Sequence, residues 1–211
     1  MTMTSSADRR IVGPVMPATV VPGRYHGSLD AITDSERRAL RPIGTSAHEV
    51  AVRTGALLTD LLALPGVRIF QGVRPAAAED LPRIPHAISA GRQLILVESV
   101  SWPPGQYAAK AAGRIHCDGT YIGQSVRPLI NAVRHWRETL PPDHRVSALV
   151  VVHPTTEGEL TLPASTTRDV AWTRANDAVR TIRARLPRGR QAVSMRAVAT
   201  LFAATAGEEY R

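Results

Sequence analysis

The chain has 211 residues, a formal net charge of +8, a single cysteine and nine aromatic residues. This length favours one domain with appended segments, and a hydrophobic content of 44% excludes wholesale disorder. One cysteine excludes an internal disulfide and a zinc site built from several cysteines. Because Lys110 is the only lysine, arginine supplies 25 of the 26 basic side chains; this charge favours polyanionic partners without specifying a fold.

The sequence predicts no membrane-spanning or exported segment. The longest lipophilic runs, Leu94–Val97 and Ala148–Val152, have the length of strands and fall far short of the roughly 20 residues of a membrane helix. Residues Met1–Arg10 are polar and lack an apolar stretch before a cleavage site. We therefore expect a cytoplasmic protein with a reduced thiol and no membrane partner.

The first 44 residues are predicted to form a flexible, loosely attached arm. Prolines and glycines interrupt this segment repeatedly. Within it, only Asp30–Arg41 has the pattern of a short helix, which Pro42 would end.

Regular structure is predicted to begin with a helix at Ser46. Ser46 and Glu49 form a capping box, and apolar residues at helical spacing continue as far as Leu64. Pro65 and Gly66 then end the helix.

Strands and helices follow this first helix. Pro85 weakens one strand candidate because proline cannot donate to a ladder, whereas Asp118-Gly119 is a strong signal for a two-residue hairpin turn. The strand candidates are Val67–Val73, Arg83–Ser89, Gln93–Trp102, Arg114–Cys117, Thr120–Ile122, Val146–His153 and Leu160–Leu162. The helix candidates are Gln124–Leu140, Asp169–Leu186 and Gln191–Ala204.

The order of these elements predicts an α/β fold with a mixed central β-sheet flanked by helices. We expect three segments: the arm over 1–44, an α/β core over 45–165, and arginine-rich C-terminal helices over 166–211 that pack on the core.

Residues Ser46–Pro154 resemble the nuclease-related domain (NERD), a branch of the PD-(D/E)xK nuclease-like superfamily. The resemblance rests on motifs in a fixed order: a first helix with Glu49, the segment RIPHAISAGRQLILVESVSW, a hairpin with Asp118-Gly119, a helix led by Gln124 and containing Asn131, and the apolar strand SALVVVHP. It implies a restriction-endonuclease-like core. It also assigns Glu98, Gln124 and Glu49 to the site pocket, and His86 and Trp102 to flanking positions of the motif.

The activity that the resemblance implies is phosphodiester hydrolysis with a divalent metal. Two carboxylates on adjacent strands would hold Mg²⁺ or Mn²⁺, the metal would supply hydroxide, and a lysine two residues beyond the second carboxylate would face the same pocket. In this sequence Pro85 stands at the aspartate position and Val100 at the lysine position. We therefore predict a catalytically degenerate member, without a cofactor, that acts as a binding or regulatory module for partners that include nucleic acid.

The sequence leaves two alternative functions open. In an active divalent-metal nuclease, Glu98 would act with migrated partners: Glu79 or Asp80 as the second carboxylate, and Lys110 as the lysine. In a protein–protein adaptor, the arm or the terminal helices would bind the partner. If Glu98 is only structural, Gln124 or an arginine would satisfy it, because a buried carboxylate needs partners or a proton.

The C-terminal region is strongly basic. Residues 168–211 contain nine arginines against four acidic residues, which accounts for +5 of the net +8. Spaced arginines neutralise phosphates, although a solvated helix face explains the same pattern and only Trp172 is near for base stacking. The candidate binding residues are Arg174, Arg180, Arg183, Arg185, Arg188 and Arg190.

Overall fold

Ten strands in two mixed sheets and four helices make up the described part of the chain. The computed structural model describes residues 23–36, 38–75, 78–164, 169–187, 189 and 192–205. The strands are β1 (Tyr25–Gly27), β2 (Arg68–Val73), β3 (Ile84–Ala90), β4 (Gln93–Trp102), β5 (Gly105–Ala109), β6 (Arg114–Cys117), β7 (Thr120–Ser125), β8 (Arg145–Pro154), β9 (Leu160–Thr161) and β10 (Val170–Arg174). The helices are α1 (Ala47–Leu58), α2 (Arg127–Thr139), α3 (Ala178–Arg183) and α4 (Met195–Thr205). The predicted α/β class with a mixed sheet flanked by helices is confirmed.

The central sheet has the strand order β1-β2-β3-β4-β8-β10. Strands β2, β3 and β4 form an antiparallel meander, and β8 then pairs parallel with β4 along its whole length. Parallel neighbours need a crossover connection, and here it contains β5, β6, β7 and α2. The second sheet has the order β7-β6-β5-β9.

Apolar layers cover both faces of the central sheet. Helices α1 and α3 pack on one face, and α2 and α4 pack on the other. Side chains alternate between faces along a strand, so Ile95 and Val97 of β4 enter the α1 layer while Leu96 and Val100 enter the α2 layer. The same alternation places Glu98 on the α2 face.

Two local signals in the sequence are confirmed. The Ser46 side chain accepts a hydrogen bond from the Glu49 backbone N–H at 3.1 Å and caps α1. Asp118 and Gly119 both have positive φ, at 48° and 81°, as a type I′ hairpin turn between β6 and β7 requires. Helix α1 ends at Leu58, and one 3-10 turn, Thr59–Ala63, continues it.

Strand β3 lies inside the sheet although it contains Pro85. Its pairing with β2 joins Gln71 to His86 and Val73 to Ile84, and its pairing with β4 begins only at His86. The missing N–H of Pro85 therefore falls where the ladder needs no donor, so the rule against proline in interior strands is not violated.

Two helix predictions differ from the structure. The segment predicted as a helix over Asp169–Leu186 begins with β10, which pairs parallel with β8; only Ala178–Arg183 is α-helical. Helix α2 begins at Arg127, and Gln124 belongs to β7. At 13 residues, α2 is the longest helix of the described segments, none of which is long and apolar enough to cross a membrane.

The described residues 23–36 and 38–44 do not form the loosely attached arm predicted for 1–44. Strand β1 pairs parallel with β2, and Ile32 and Leu40 are fully buried. The predicted helix over Asp30–Arg41 is replaced, in its described residues, by turns and bends. Residues 1–22 lie outside the described part of the chain.

Candidate functional site at Glu98

Glu98 lies in the middle of β4, and its side chain is fully buried. Its Oε1 atom accepts hydrogen bonds from Arg38 Nη2 and from the Ser99 backbone N–H, the latter at 3.0 Å. The Arg38 side chain is 1% exposed, and its Nε donates to the Leu40 carbonyl at 3.3 Å. Glu98 and Arg38 therefore form a buried ion pair inside the α2 layer.

This ion pair also completes the edge of β4 where β3 no longer covers it. The Ser99 N–H donates to Glu98, and the Ser99 carbonyl accepts from Arg38 Nη2 at 3.4 Å. Two residues further on, the Ser101 carbonyl accepts from the Ile43 N–H at 2.7 Å. Buried backbone groups need such partners, so the segment 38–43 replaces a neighbouring strand along this edge.

Burial and the ion pair act on the pKa of Glu98 in opposite directions. Loss of solvation raises the pKa of Glu98 above its ordinary value, and the Arg38 charge and the Ser99 N–H oppose that shift. Glu98 Oε2 and Arg38 Nη1 have no hydrogen-bond partner within the described residues. Removing either side chain would leave an uncompensated charge in an apolar layer, which is strongly destabilising.

The residues around Glu98 do not fit a Mg²⁺ or Mn²⁺ site. Since His86 pairs with Val97, the next positions along the two antiparallel strands place Pro85 beside Glu98, and proline has no ligand atom. Val100 faces the same side, and the carboxylate of Glu98 is bound to a guanidinium. Among the residues that the structure describes, no group of three or more His, Cys, Asp or Glu could hold a metal ion.

The other two predicted pocket residues do not converge on Glu98. Gln124 accepts a hydrogen bond from the Arg41 backbone N–H at 3.0 Å. Glu49 has a half-exposed side chain that pairs with Arg53 and accepts from Thr45. These local contacts lower the pKa of Glu49, with the Thr45 hydrogen bond as the largest cause.

The proposed migrated partners lie on the surface. Glu79 and Asp80 are exposed in the loop before β3, and Lys110 is exposed at the end of β5. None of the three is among the hydrogen-bond or ion-pair partners found for Glu98.

A second group of buried polar residues lies on the opposite, α1, face of the sheet. His86 is fully buried, and neither ring nitrogen has a hydrogen-bond partner within the described residues. Burial lowers the pKa of His86 to about 3, and the Arg38 charge adds to that shift. Gly55 of α1 leaves room for the ring, because a Cβ there would lie 2.9 Å from His86 Nε2.

The same face contains a buried contact between α1 and β8. Thr54 Oγ1 and His153 Nε2 share a hydrogen bond of 2.8 Å. Burial lowers the pKa of His153 to about 4, with a smaller contribution from the Arg53 charge. The imidazole is therefore neutral at pH 7 and joins the helix to the sheet.

The four predicted C-terminal binding arginines that the structure describes are spread over both ends of β8 and the region of α3. Arg174 donates to the Leu160 carbonyl and lies opposite Val152 near the end of β8. Arg185 lies beside Arg145 at the start of β8. The remaining members are Arg180, which pairs with Asp177 at 2.7 Å, Arg183, which donates to the Asp60 carbonyl at 3.3 Å, and Arg188 and Arg190, which lie outside the described residues.

Sequence reasoning did not identify Arg38 as the partner of Glu98. The signal in the sequence was that a buried carboxylate needs a cation as its partner. However, Arg38 lies 60 residues away in a segment predicted to be a loose arm.

Comparison with protein-family models, curated proteins and solved structures finds no match to this chain.

Proposed function

We propose that this chain is a catalytically degenerate nuclease-like domain that acts as a binding module for nucleic acid. The observation that supports this proposal is the pairing of Glu98 with Arg38. A carboxylate that holds a catalytic metal must offer its oxygens to the cation, whereas Glu98 faces a buried guanidinium.

The order of elements supports a restriction-endonuclease-like core of the NERD type. Helix α1, the meander β2–β4, the hairpin β6–β7, helix α2 and strand β8 follow one another in the order on which the resemblance rests. The adjacent positions of Pro85 and Glu98 are those that would bring two acidic ligands together. Here one ligand is missing, and the other is neutralised.

The charge of the chain supports nucleic acid as the partner. A net charge of +8 attracts polyanions and accelerates their association. Exposed arginine side chains, such as Arg127 and Arg134, can replace the counterions of a phosphate backbone. Binding of this kind needs no metal and no bond cleavage.

Incubation with DNA and RNA, single- and double-stranded, in the presence of Mg²⁺ or Mn²⁺ tests the loss of catalysis. We expect no cleavage by the wild-type chain or by Glu98→Gln. Divalent-dependent cleavage that disappears in Glu98→Gln would show an active nuclease and contradict the proposal.

A gel-shift series over increasing salt tests the binding function. We expect complexes at low salt that dissociate steeply as salt rises, because counterion release drives binding to phosphates. Failure to shift any of the four nucleic acids, with a folded chain, would refute nucleic-acid binding and leave the protein–protein adaptor as the function to test.

A further inference from the structure

A basic groove lies between α2 and the turn 110–113, which connects β5 to β6. Its volume is about 780 Å³. We call it the α2 groove; its polar lining consists of Lys110, Arg127, Asn131, Arg134, Arg137 and Asp169. Four of these six side chains are cationic and one is acidic, so positive charge predominates in the groove.

The acidic residue of the groove is already neutralised. Asp169 accepts a hydrogen bond from Arg137 Nη2 at 2.5 Å, and the same guanidinium donates to the Val146 carbonyl at 2.7 Å. By contrast, no carboxylate in the described ranges forms an ion pair with Lys110, Arg127 or Arg134. The groove therefore presents three uncompensated positive charges to solvent.

The spacing of these charges follows from the helix. Arg127 and Arg134 are seven residues apart, two turns of α2, so they share one face about 10 Å apart along the axis. Arg134 is anchored by one hydrogen bond, from Nη2 to Asn131 Oδ1 at 2.8 Å, and its guanidinium has further donors available. A rise of about 10 Å corresponds to roughly three base-pair steps of a duplex.

The lining also indicates which form of nucleic acid fits. None of the side chains described along the α2 groove is aromatic, whereas proteins that bind single strands stack bases on aromatic rings. Contacts in this groove would reach phosphates rather than bases. We infer that the α2 groove binds the phosphate backbone of a nucleic-acid duplex through Lys110, Arg127 and Arg134, an inference that rests on the proposed function.

A second basic cavity is less suited to this role. It lies at the start of β4 and β8, measures about 320 Å³ and includes Arg92, Arg145 and Arg185. Asp143 sits among these arginines and pairs with Arg92 at 2.9 Å. This cavity is smaller and retains fewer unpaired charges, so its arginine side chains provide a charge-matched control.

Fluorescence anisotropy with a short labelled DNA duplex, repeated over a salt series, tests the inference. The variant K110Q/R127Q/R134Q should bind at least about tenfold more weakly at low salt. Its slope of log K against log salt should fall by up to about 2.7, since each phosphate contact contributes about 0.9. The control R92Q/R145Q/R185Q, which removes three charges from the second cavity, should keep the wild-type slope, and Arg134→Lys, which keeps the charge, should do the same.

The outcomes separate this inference from the proposed function. Wild-type binding that the groove variant retains, or that only the control variant loses, would overturn the α2 groove as the contact surface and leave the proposed function standing. Failure of the wild type to bind any nucleic acid would overturn both. Tighter binding of a single strand than of DNA or RNA duplexes would contradict the duplex assignment. If the triple variant unfolds, the single charge reversal Arg134→Glu should still lower the slope.

Discussion

Arg38 and Glu98, 60 residues apart in the chain, meet as a buried ion pair at the point where β3 stops covering β4. The pair satisfies both backbone polar groups of Ser99. It therefore has a structural task that a metal-binding glutamate could not perform at the same time. Glu98 is therefore part of the structure of the sheet edge.

Arg38→Met should destabilise the fold by about 3–5 kcal/mol, because it leaves the buried carboxyl group of Glu98 without its cation. Urea unfolding followed by circular dichroism measures this loss as a shift of the midpoint at unchanged slope. A loss below about 1 kcal/mol would contradict the structural role of the pair.

The double variant Arg38→Met/Glu98→Leu is the matched control. Replacing a whole buried ion pair by apolar side chains is often neutral, so the double variant should be more stable than Arg38→Met alone. The recovery will be partial, because the double variant removes both side-chain partners of the Ser99 backbone, the Glu98 carboxylate and the Arg38 guanidinium.

Glu49→Ala should change the free energy of unfolding by less than about 1 kcal/mol. Glu49 is half-exposed and pairs with Arg53 one helical turn away, and exposed pairs of this kind contribute little. Glu98→Ala should lower the free energy of unfolding several times more, since it leaves the buried Arg38 without its ion-pair partner. Equal losses for the two glutamates, measured in the same urea series, would show that Glu49 belongs to the buried site after all.

The fold followed from the sequence wherever local pattern and tertiary pairing agreed. The apolar run in β4 and the Asp118-Gly119 turn were sufficient to place their elements. The segment Val170–Arg174 was not predicted as a strand. These five residues precede an arginine-rich helical pattern and were assigned to the same helix, because their pairing partner, β8, is not adjacent in sequence. Strand pairing of this kind overrides local propensity.

The site was predictable only in part for a similar reason. Alternation along β4 was enough to place Glu98 and Val100 on one face of the sheet. Arg38 could not be selected among 25 arginines, since no periodic pattern links a turn-rich segment to the strand that it covers. The chemistry of a buried carboxylate predicts that a cation is present, but only the tertiary structure identifies it.

Gly55→Ala should destabilise the protein although alanine favours helices. The substitution gains about 1 kcal/mol from helix propensity, but its methyl group would lie 2.9 Å from His86 Nε2, and overpacking a buried layer costs about 1–3 kcal/mol. In a His86→Ala background the clash is absent, so the same substitution should become stabilising by about 1 kcal/mol. A thermodynamic cycle from urea unfolding measures this change of sign, and an unchanged sign would show that α1 does not pack on His86.

Acidification should destabilise the fold through His86. Its folded-state pKa is about 3, against an ordinary value of 6.5, so between these values the unfolded chain binds a proton that the folded chain does not. The unfolding free energy should therefore fall as pH falls from about 6.5 towards 4, by up to about 1.4 kcal/mol per pH unit for this residue. His153, whose pKa is lowered to about 4, adds to the loss.

His86→Gln should reduce that slope by about half over the same range, because one of the two neutral buried imidazoles no longer competes for a proton. Urea unfolding at several pH values measures the slope rather than the absolute stability, so a general loss from the substitution does not affect the result. A slope in His86→Gln equal to that of the wild type would mean that His86 binds a proton equally well in the folded and the unfolded chain, which contradicts the lowered pKa of the buried ring.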